Sequence, residues 1–310
     1  MTLHPQAQAV LDFRKAHGGP ASTAPLQQLR AADLDAPLIY GESATDVDVE
    51  FSYIAGPTAD LPLLTIRPKI HKSGSGALVY FHGGGWVFNQ HTKYQPMLTQ
   101  IASETGFTVI AVNYQKAPEH QFPIPFDDCY ATLEWTLAHA TELGIDPTKV
   151  GVGGDSAGGN LAAAVALKAA DQGIALAYQM LIYPCVDTDY TNQSYRDHDQ
   201  GFGLEAAGMK ACWNAYIPAD QFDNKYAVPM HATSLKGGAP AVIALAEHDC
   251  LRDEGAKYGE RLADDGVHVI LKEYPGMIHG FFGHGSMVDE AYELRRWLSA
   301  RIVELTRVAQ

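Results

Sequence analysis

The sequence predicts an α/β protein with a mostly parallel, doubly wound sheet that is flanked by helices. From residue 77 onward, short segments with strand character alternate with longer segments of helical periodicity. Several strand segments are continuous apolar runs, which are typical of parallel strands buried on both faces. The chain has 310 residues, of which 46% are hydrophobic, and α/β folds of this size often form a single domain around one large core.

The N-terminal 45 residues follow a different pattern from the remainder. Apolar positions within a mostly polar stretch predict a helix over 5–17, a glycine-containing break follows, and a second short amphipathic helix begins near residue 26. We interpret residues 1–45 as an accessory segment that packs on a main domain formed by residues 46–310.

The main domain contains a regular series of elements. The predicted strands cover residues 46–53, 63–68, 77–81, 108–113, 149–153, 178–183, 240–246 and 267–274. The predicted helices cover residues 94–105, 125–143, 161–172, 253–265 and 288–308. Residues 187–224 interrupt this alternation, because they are rich in Asp, Tyr and Gly and contain one predicted helix at 205–216. We expect this stretch to be an insertion above the sheet.

Composition excludes several classes of function. The net charge of −14 argues against binding to nucleic acid or to an anionic membrane surface. Four cysteines, widely spaced and without a CxxC pair, predict neither a disulfide framework nor a zinc site. The N-terminus lacks the pattern of a signal peptide, and the longest apolar run is far shorter than the about 20 residues that span a bilayer. We therefore expect a soluble cytoplasmic protein.

The most informative motif is GDSAG at residues 154–158, between the end of a predicted strand and the start of a helix. It matches G-x-S-x-G, which places Ser156 at a sharp strand-to-helix turn. Small residues are needed two positions away on either side of a strained serine, and the following helix directs its positive end toward the reacting oxygen. Taken alone, the motif is also compatible with an ordinary glycine-rich turn.

Two nucleotide-binding motifs overlap the same stretch, and neither is complete. A dinucleotide-binding loop requires Gly or Ala at the position of Ser156. A phosphate-binding loop requires a lysine at the position of Gly159.

Acyl transfer by a serine also requires a base, an acid that orients the base, and donors for the oxyanion. His279 is the strongest candidate base among thirteen histidines, since its loop directly follows the last predicted strand. The acid should lie between Ser156 and His279 in the chain. Asp249, in the loop after the strand at 240–246, is favoured over Glu247, which lies closer to that strand.

Oxyanion donors are expected in HGGGW at residues 82–86, because glycines let backbone N–H groups converge on one oxygen. The residue after the nucleophile, Ala157, supplies a second donor in such sites. His82 is interpreted as a residue that organises the backbone of this loop.

With these motifs, the chain closely resembles the hormone-sensitive-lipase-like esterases, which are the bacterial family IV group of α/β-hydrolases. The shared motifs are HGGGW, APE at 117–119, GDSAGGNLA at 154–162, LRDEG at 251–255 and YPGMIHGF at 274–281. The resemblance implies the α/β-hydrolase fold, the GDSAG subgroup and a triad of Ser156, Asp249 and His279. It implies that the oxyanion donors are Gly84, Gly85 and Ala157.

The resemblance further implies a helical cap over the acyl pocket, formed by residues 1–45 and the insertion at about 187–224. Six aromatic residues are then candidates for the pocket lining, namely Phe13, Trp86, Phe88, Phe202, Trp213 and Tyr216. Each of them could equally be an ordinary core residue.

The chain departs from the family pattern at Gln115 and Lys116, where family members usually have arginine and leucine, and at Cys250, where they usually have proline. We expect somewhat more mobile loops at these positions.

The implied activity is hydrolysis of short-chain carboxylic esters through an acyl-enzyme, with no metal or organic cofactor. Acyl transfer to an alcohol or amine would use the same residues and stays open. A ligand receptor on the same fold is disfavoured, because the plant gibberellin receptors that resemble this family lack the histidine that is present here. A homodimer through the edge strand at 267–274, which is common in the family, is a further expectation.

Overall fold

One eight-stranded sheet lies at the centre of the computed structural model, which describes residues 2–17, 24–35, 40–70 and 72–308. The strands are β1 (Val47–Ala55), β2 (Asp60–Pro68), β3 (Ser75–Phe81), β4 (Thr108–Val112), β5 (Ile145–Asp155), β6 (Gln179–Ile182), β7 (Ala241–His248) and β8 (Val269–Ile278). Their order across the sheet is β1-β2-β4-β3-β5-β6-β7-β8. Strand β2 is antiparallel to both β1 and β4, and all later pairs in this order are parallel.

Helices connect the strands and cover both faces of the sheet. They are α1 (Pro5–Ala16), α2 (Leu26–Asp35), α3 (Gln95–Thr105), α4 (Ile124–Ala138), α5 (Ala140–Leu143), α6 (Ala157–Asp171), α7 (Gln193–Asp197), α8 (Ala206–Tyr216), α9 (Arg252–Asp264) and α10 (Asp289–Val308). Short 3₁₀ turns occur at His91–Tyr94, Pro229–His231 and Phe281–Gly283.

Strand β3 shows why the sheet is buried on both sides. Val79 and Phe81 point into the core cluster that contains residues of α4, α6 and α9. Leu78 and Tyr80 point into the cluster that contains residues of α3 and α10. Successive side chains of a strand alternate between its faces, so a continuous apolar run contributes side chains to the cores on both faces of the sheet. The predicted doubly wound α/β sheet is confirmed.

The long helix predicted over residues 125–143 was wrong in its length. Helix α4 ends at Ala138, and His139 bonds back to the carbonyl of Trp135 through both its backbone N–H (3.0 Å) and its ring Nδ1 (2.8 Å). The short helix α5 follows and stops at Gly144, which adopts a left-handed conformation with φ of 68°. A glycine tolerates this conformation at low cost and therefore ends helices.

The N-terminal segment and the insertion contribute helices α1, α2, α7 and α8, and helix α8 agrees with the predicted helix at 205–216. The break predicted after α1 falls mostly on residues 18–23, which lie outside the described residues. Among the helices of the described ranges, none combines the length and apolar character that a bilayer crossing requires.

Candidate active site

The residues predicted to act in catalysis follow four strands of the sheet at the same edge. Ser156 comes directly after β5, and His279 comes directly after β8. Asp249 follows β7, and the HGGGW loop at 82–86 follows β3. The carboxyl ends of parallel strands meet at one edge, which is where open α/β sheets place their binding sites.

Ser156 adopts a backbone conformation that is rare for a residue with a side chain, with φ of 55° and ψ of −120°. Its position is fixed on both sides, because its N–H donates to the carbonyl of Ile182 (2.9 Å) and its carbonyl accepts from the N–H of Asn160 (3.0 Å). Strained residues of this kind persist only where the surrounding structure holds them, and they cluster at functional sites.

The glycines of the GDSAG motif are required by close backbone contacts. A Cβ atom on Gly158 would overlap the carbonyl of Phe81, and one on Gly154 would overlap the carbonyls of both Phe81 and Gly158. The end of β3 therefore lies directly against the turn that carries Ser156. This contact brings the loop after β3 beside the serine.

A chain of hydrogen bonds links the three predicted triad residues. His279 Nε2 lies 2.9 Å from Ser156 Oγ, and His279 Nδ1 lies 2.7 Å from Asp249 Oδ2. The Asp249 residue is 1% exposed, and its Oδ1 accepts a further bond from the N–H of Leu251 (3.0 Å). A carboxylate at Nδ1 selects the tautomer with the proton on Nδ1, which leaves Nε2 free to accept the serine proton.

The competing acid, Glu247, lies elsewhere. Its Oε2 accepts a hydrogen bond from the N–H of Gly276 (2.7 Å), in the β8 segment that leads to His279. Glu247 thus supports the backbone that carries His279, while Asp249 contacts the imidazole itself. A second support is the buried ring of Tyr183, whose centroid lies 4.7 Å from that of His279.

The loop after β3 presents unusual backbone conformations beside Ser156. Gly84 and Gly85 have φ of 113° and 59°. A Cβ on Gly85 would lie 2.5 Å from Cys212 Sγ, so the loop has no room for a side chain there. Among the backbone hydrogen bonds of the described residues, the N–H groups of Gly84, Gly85 and Ala157 donate none. The three predicted oxyanion donors are therefore not committed to another backbone carbonyl of the described residues.

His82 organises this loop. Its ring is stacked on Tyr114 at a centroid distance of 4.4 Å, its Nδ1 lies 2.8 Å from the carbonyl of Gly83, and its own carbonyl accepts from the Tyr114 hydroxyl (2.8 Å). Burial lowers the pKa of His82 well below its ordinary value, so the ring is neutral at neutral pH.

Asp155 is a functional residue that the sequence analysis missed. Its buried carboxylate accepts hydrogen bonds from Tyr80 Oη (2.7 Å), the N–H of Gly83 (2.9 Å) and Tyr94 Oη (3.1 Å). Burial raises the pKa of Asp155, and the bond from Tyr80 opposes that shift. The carboxylate ties the loop after β3 to the residue before Ser156. The available signal was an acidic residue directly after the apolar, buried run 150–154 of β5.

Comparison with known proteins fits this geometry. The profile of a family described as having an α/β-hydrolase fold matches residues 78–283. The chain is 35% identical to carboxylesterase NlhH of Mycobacterium tuberculosis over 239 residues, which cover 76% of this chain and 75% of the relative. It is 32% identical to an ethyl acetate hydrolase of Pseudomonas putida over 306 residues, or 94% and 96% of the two chains.

The chain belongs to the α/β-hydrolase family. Its structure is similar to that of an ester hydrolase, EH1AB1, from the metagenome of Lake Arreo, with a TM-score of 0.93, 32% identity and coverage of 98% and 99% of the two chains. It is also similar to a thermostable esterase from Pseudomonas putida ECU1011, with a TM-score of 0.91, 30% identity and coverage of 100% and 98%. The resemblance to hormone-sensitive-lipase-like esterases is confirmed, and assignment to the GDSAG subgroup stays a prediction.

The six aromatic residues that are candidates for the pocket lining do not all lie together in this α/β-hydrolase. Trp86 is stacked on Tyr216 (centroid distance 4.3 Å, interplanar angle 3°) and lies 4.4 Å from the ring of Trp213. We call Trp86, Trp213 and Tyr216 the aromatic cluster, and all three are fully buried. Within the described residues, both indole N–H groups and the Tyr216 hydroxyl lack a hydrogen-bond partner. Phe88 packs against the same core.

The other two candidates lie apart from the aromatic cluster. Phe202 is stacked on His248 at 5.1 Å, and Phe13 is stacked on His17 of its own N-terminal segment at 4.2 Å. The structure thus brings three of the predicted lining residues into one mutual contact, and it distributes the others around the site.

The loop at 113–119 is anchored although Gln115 and Lys116 depart from the family pattern. The backbone N–H of Gln115 donates to Asp128 Oδ2 (2.8 Å), and Lys116 Nζ donates to Asn113 Oδ1 (2.8 Å). Burial lowers the pKa of Lys116 to about 8.

Arg30 of helix α2 supplies an arginine to the same region from a different part of the chain. It donates to the carbonyls of Val87 (2.9 Å) and Ala117 (2.7 Å) and forms an ion pair with Glu119 (2.8 Å). The expected loss of arginine contacts at this loop is therefore offset by the N-terminal segment.

The loop at Cys250 is also anchored. The thiol is fully buried, and the carbonyl of Cys250 accepts a hydrogen bond from Ser194 Oγ (2.7 Å) in the insertion. The Leu251 N–H bond to Asp249 closes the same turn. The substitution of cysteine for proline is thus accommodated in a packed loop.

Proposed function

We propose that this protein is a carboxylic ester hydrolase that acts on short-chain acyl esters through Ser156, His279 and Asp249. The observation that supports the proposal most directly is the hydrogen-bond chain from Ser156 Oγ through the imidazole to the buried Asp249. The relatives add to it, since they are named carboxylesterase, ethyl acetate hydrolase and, in Saccharolobus solfataricus, arylesterase.

In the acylation step, Ser156 Oγ attacks the ester carbonyl while His279 Nε2 accepts the serine proton. Asp249 stabilises the imidazolium that forms, and it keeps the proton of Nδ1 in place. The tetrahedral intermediate collapses when His279 transfers its proton to the oxygen of the departing alcohol. This step leaves an acyl group on Ser156.

The negative charge of the tetrahedral intermediate requires donors that are already oriented. The N–H groups of Gly84, Gly85 and Ala157 are the proposed donors. Ala157 is the first residue of helix α6, where backbone N–H groups have no intrahelical acceptor and the helix dipole favours an anion. Asp155 holds the glycine loop against the serine turn, so the donors need no rearrangement during the reaction.

Deacylation repeats the same chemistry with water as the nucleophile. His279 removes a proton from water, the hydroxide attacks the acyl carbonyl, and Ser156 recovers its proton from the imidazolium. The cycle uses only side chains of this protein and water, and we propose no metal or organic cofactor for it.

We further propose that residues 1–45 and 187–224 form a cap above Ser156. Contacts from both segments to the main domain support this. Arg30 holds the loop near Trp86, and the insertion is fixed at its start by Glu254, whose Oε1 accepts from the N–H of Val186 (2.7 Å). The aromatic cluster joins α8 to the oxyanion loop and closes the space beyond it, which favours short acyl chains.

The cellular setting is also a proposal. All four cysteines are free, which fits a reducing cytoplasm. Leu271 is 43% exposed on β8, one of the two edge strands of the sheet, and this supports a homodimer through that edge. Light scattering on the purified protein would measure the mass in solution and decide between monomer and dimer.

The proposed function is tested with p-nitrophenyl esters of increasing chain length and a fluorophosphonate probe. We expect turnover that is fastest with the shortest acyl chains, and covalent labelling that Ser156→Ala abolishes. Ser103→Ala, which removes an exposed hydroxyl on α3 that bonds Asp46, is the matched control and should keep both properties. Labelling or turnover that persisted in folded Ser156→Ala protein would contradict the assignment of the nucleophile.

A further inference from the structure

The guanidinium of Arg14, on helix α1, lies where three segments meet beside the active site. Its Nη2 lies 2.8 Å from Nε2 of His284, in the segment after β8. A Cβ placed on Gly203 of the insertion would lie 3.0 Å from Nη1, and one placed on Gly280 would lie 3.6 Å from Nη2. One side chain of α1 thus lies against both the insertion and the loop of His279.

This position adjoins His279, the residue that protonates the leaving alcohol in the proposed mechanism. Gly280 directly follows His279, and Tyr183, whose ring packs on His279, is one of the two tyrosines that act electrostatically on Arg14. The proposed mechanism requires the leaving oxygen to lie near His279 Nε2, because that nitrogen delivers its proton. We assign the acyl group to the other side of His279, toward the aromatic cluster that joins α8 to the oxyanion loop through Trp86.

Arg14 carries a charge that the described residues do not neutralise. No carboxylate of the described ranges forms an ion pair with it, and its hydrogen-bond partner is a histidine. Burial, followed by the charge of Arg14, lowers the pKa of His284 well below its ordinary value, so the partner is neutral. This arrangement is unusual in a chain with a net charge of −14.

The burial of Arg14 differs along its side chain. The residue as a whole is exposed, yet burial of its charged end is sufficient to lower the pKa of the guanidinium. A guanidinium partly removed from water without a counter-charge is costly, and it binds a carboxylate strongly because its donors match the two carboxylate oxygens.

We propose that Arg14 determines specificity by binding a carboxylate on the alcohol part of the ester, so that the preferred substrates are short-chain acyl esters of hydroxycarboxylic acids. The inference rests on the proposed ester hydrolysis. Water adds across the ester C–O bond, and the products are a short-chain acid and a hydroxy acid whose own carboxylate takes no part in the reaction.

The test uses two esters that differ at one group. Para-acetoxybenzoate and para-acetoxybenzamide share the acetyl group and the ring, but only the first carries a negative charge on the leaving group. We expect Arg14→Gln to lower the ratio of kcat/KM for the anionic ester to that for the neutral ester by about tenfold or more, the effect of one charge-assisted hydrogen bond. Arg14→Lys should restore part of this ratio, and added salt should reduce it in the wild type.

Lys15→Gln is the matched control, since it removes one positive charge from the adjacent, exposed position of α1. It should leave the ratio unchanged. Inhibition by the two products provides a readout that needs no turnover. Para-hydroxybenzoate should lose affinity in Arg14→Gln, while para-hydroxybenzamide should not.

An equal fall in kcat/KM for both esters in Arg14→Gln would overturn the inference, because it would mean that Arg14 only fastens α1 to the protein. An unchanged ratio and unchanged product inhibition would overturn it as well. Either result, obtained while the neutral ester is still hydrolysed, would leave the proposed ester hydrolysis intact. Failure of wild-type protein to hydrolyse the neutral ester would instead count against the proposed function.

Discussion

The residues around Ser156 and those above it are held in place by different interactions. We call one group of residues the floor of the site, namely the serine turn, the loop at 82–86, Asp155, Asp249 and His279. Hydrogen bonds of 2.7 to 3.1 Å and backbone contacts that only glycine allows join these residues. The proposed cap meets this floor through ring packing, since Trp213 and Tyr216 of α8 lie against Trp86 of the loop.

This difference suggests a division of tasks. Hydrogen bonds and strained backbone hold atoms to within fractions of an ångström, which the chemical step requires. Apolar packing tolerates exchange of side chains of similar volume much better. Changes in the floor should therefore affect the rate of the chemical step, and changes in the cap should affect which ester is used.

The largest effect is expected in the floor at Asp249. Asp249→Asn should lower kcat by about 10⁴-fold, since an amide no longer selects the productive tautomer of His279. Glu247→Gln is the control and should keep most of the activity, because the Glu247 carboxylate bonds the backbone of Gly276 and does not contact the imidazole of His279. Circular dichroism would establish that both variants are folded. The assignment of the acid is wrong if the two variants show the opposite pattern.

A smaller but still large effect is expected at Asp155. Removal of its carboxylate in Asp155→Ala leaves three buried donors without an acceptor and frees the oxyanion loop to shift. Misplacement of catalytic donors by about 1 Å can cost about 10²-fold in rate, and we expect a loss of this order in kcat.

Asp146→Ala, near the start of the same strand, is the matched control for Asp155. Its carboxylate bonds Thr148 near the surface, so kcat should stay near the wild-type value. Titration of the serine with a fluorophosphonate would normalise both rates to the folded fraction. A change in KM alone for Asp155→Ala would argue against its role in positioning the donors.

In the cap, a change of substrate preference is expected instead. Trp213→Leu opens space beside Trp86, and each additional buried methylene of an acyl chain gains about 0.8 kcal/mol. The ratio of kcat/KM for p-nitrophenyl hexanoate to that for the acetate should rise by about tenfold, enough for two such methylenes. Trp135→Leu removes a tryptophan stacked on His139, outside the cluster, and should leave the ratio unchanged. An unchanged ratio in Trp213→Leu would place the acyl group elsewhere.

The smallest effect concerns stability in acid. Burial lowers the pKa of His91, in the turn that precedes α3, to about 4. The unfolded chain then binds more protons than the folded protein between pH 6.5 and 4, so stability falls as pH falls through this window.

The measurement for His91 is the free energy of urea unfolding at several pH values. In His91→Gln, its dependence on pH should be shallower between pH 6.5 and 4, by at most about 1.4 kcal/mol per pH unit. Identical slopes for the two proteins would show that His91 is protonated without cost in the folded state.

Much of the floor could be predicted because its motifs carry local physical requirements. Three motifs each follow a strand, namely the G-x-S-x-G turn, the triple glycine and the loop of His279. Parallel strands place such loops together at one edge of the sheet. Asp155 could not be assigned in the same way, because its partners Tyr80 and Tyr94 lie 75 and 61 residues away in sequence. Nothing in the local pattern shows that two tyrosines will converge on one carboxylate.

The cap was predicted less completely for the same reason. Neither the irregular stretch around Phe202 nor the short predicted helix around Trp213 has a pattern that distinguishes a pocket wall from core, so the two residues could not be separated by sequence. The break between α4 and α5 at His139 was also missed, since the apolar pattern continues across it. Arg30 of the N-terminal segment makes contacts at the loop where residue 115 is not an arginine. Because the two residues are far apart in sequence, only the folded structure shows that they serve the same loop.

The aromatic cluster gives this protein an optical signal of its own. The chain contains four tryptophans, and two of them, Trp86 and Trp213, lie with ring centroids 4.4 Å apart where the cap meets the oxyanion loop. At that distance their excited states are coupled. A movement of α8 by a fraction of its own width would therefore change both the emission and the near-ultraviolet circular dichroism, with no label attached.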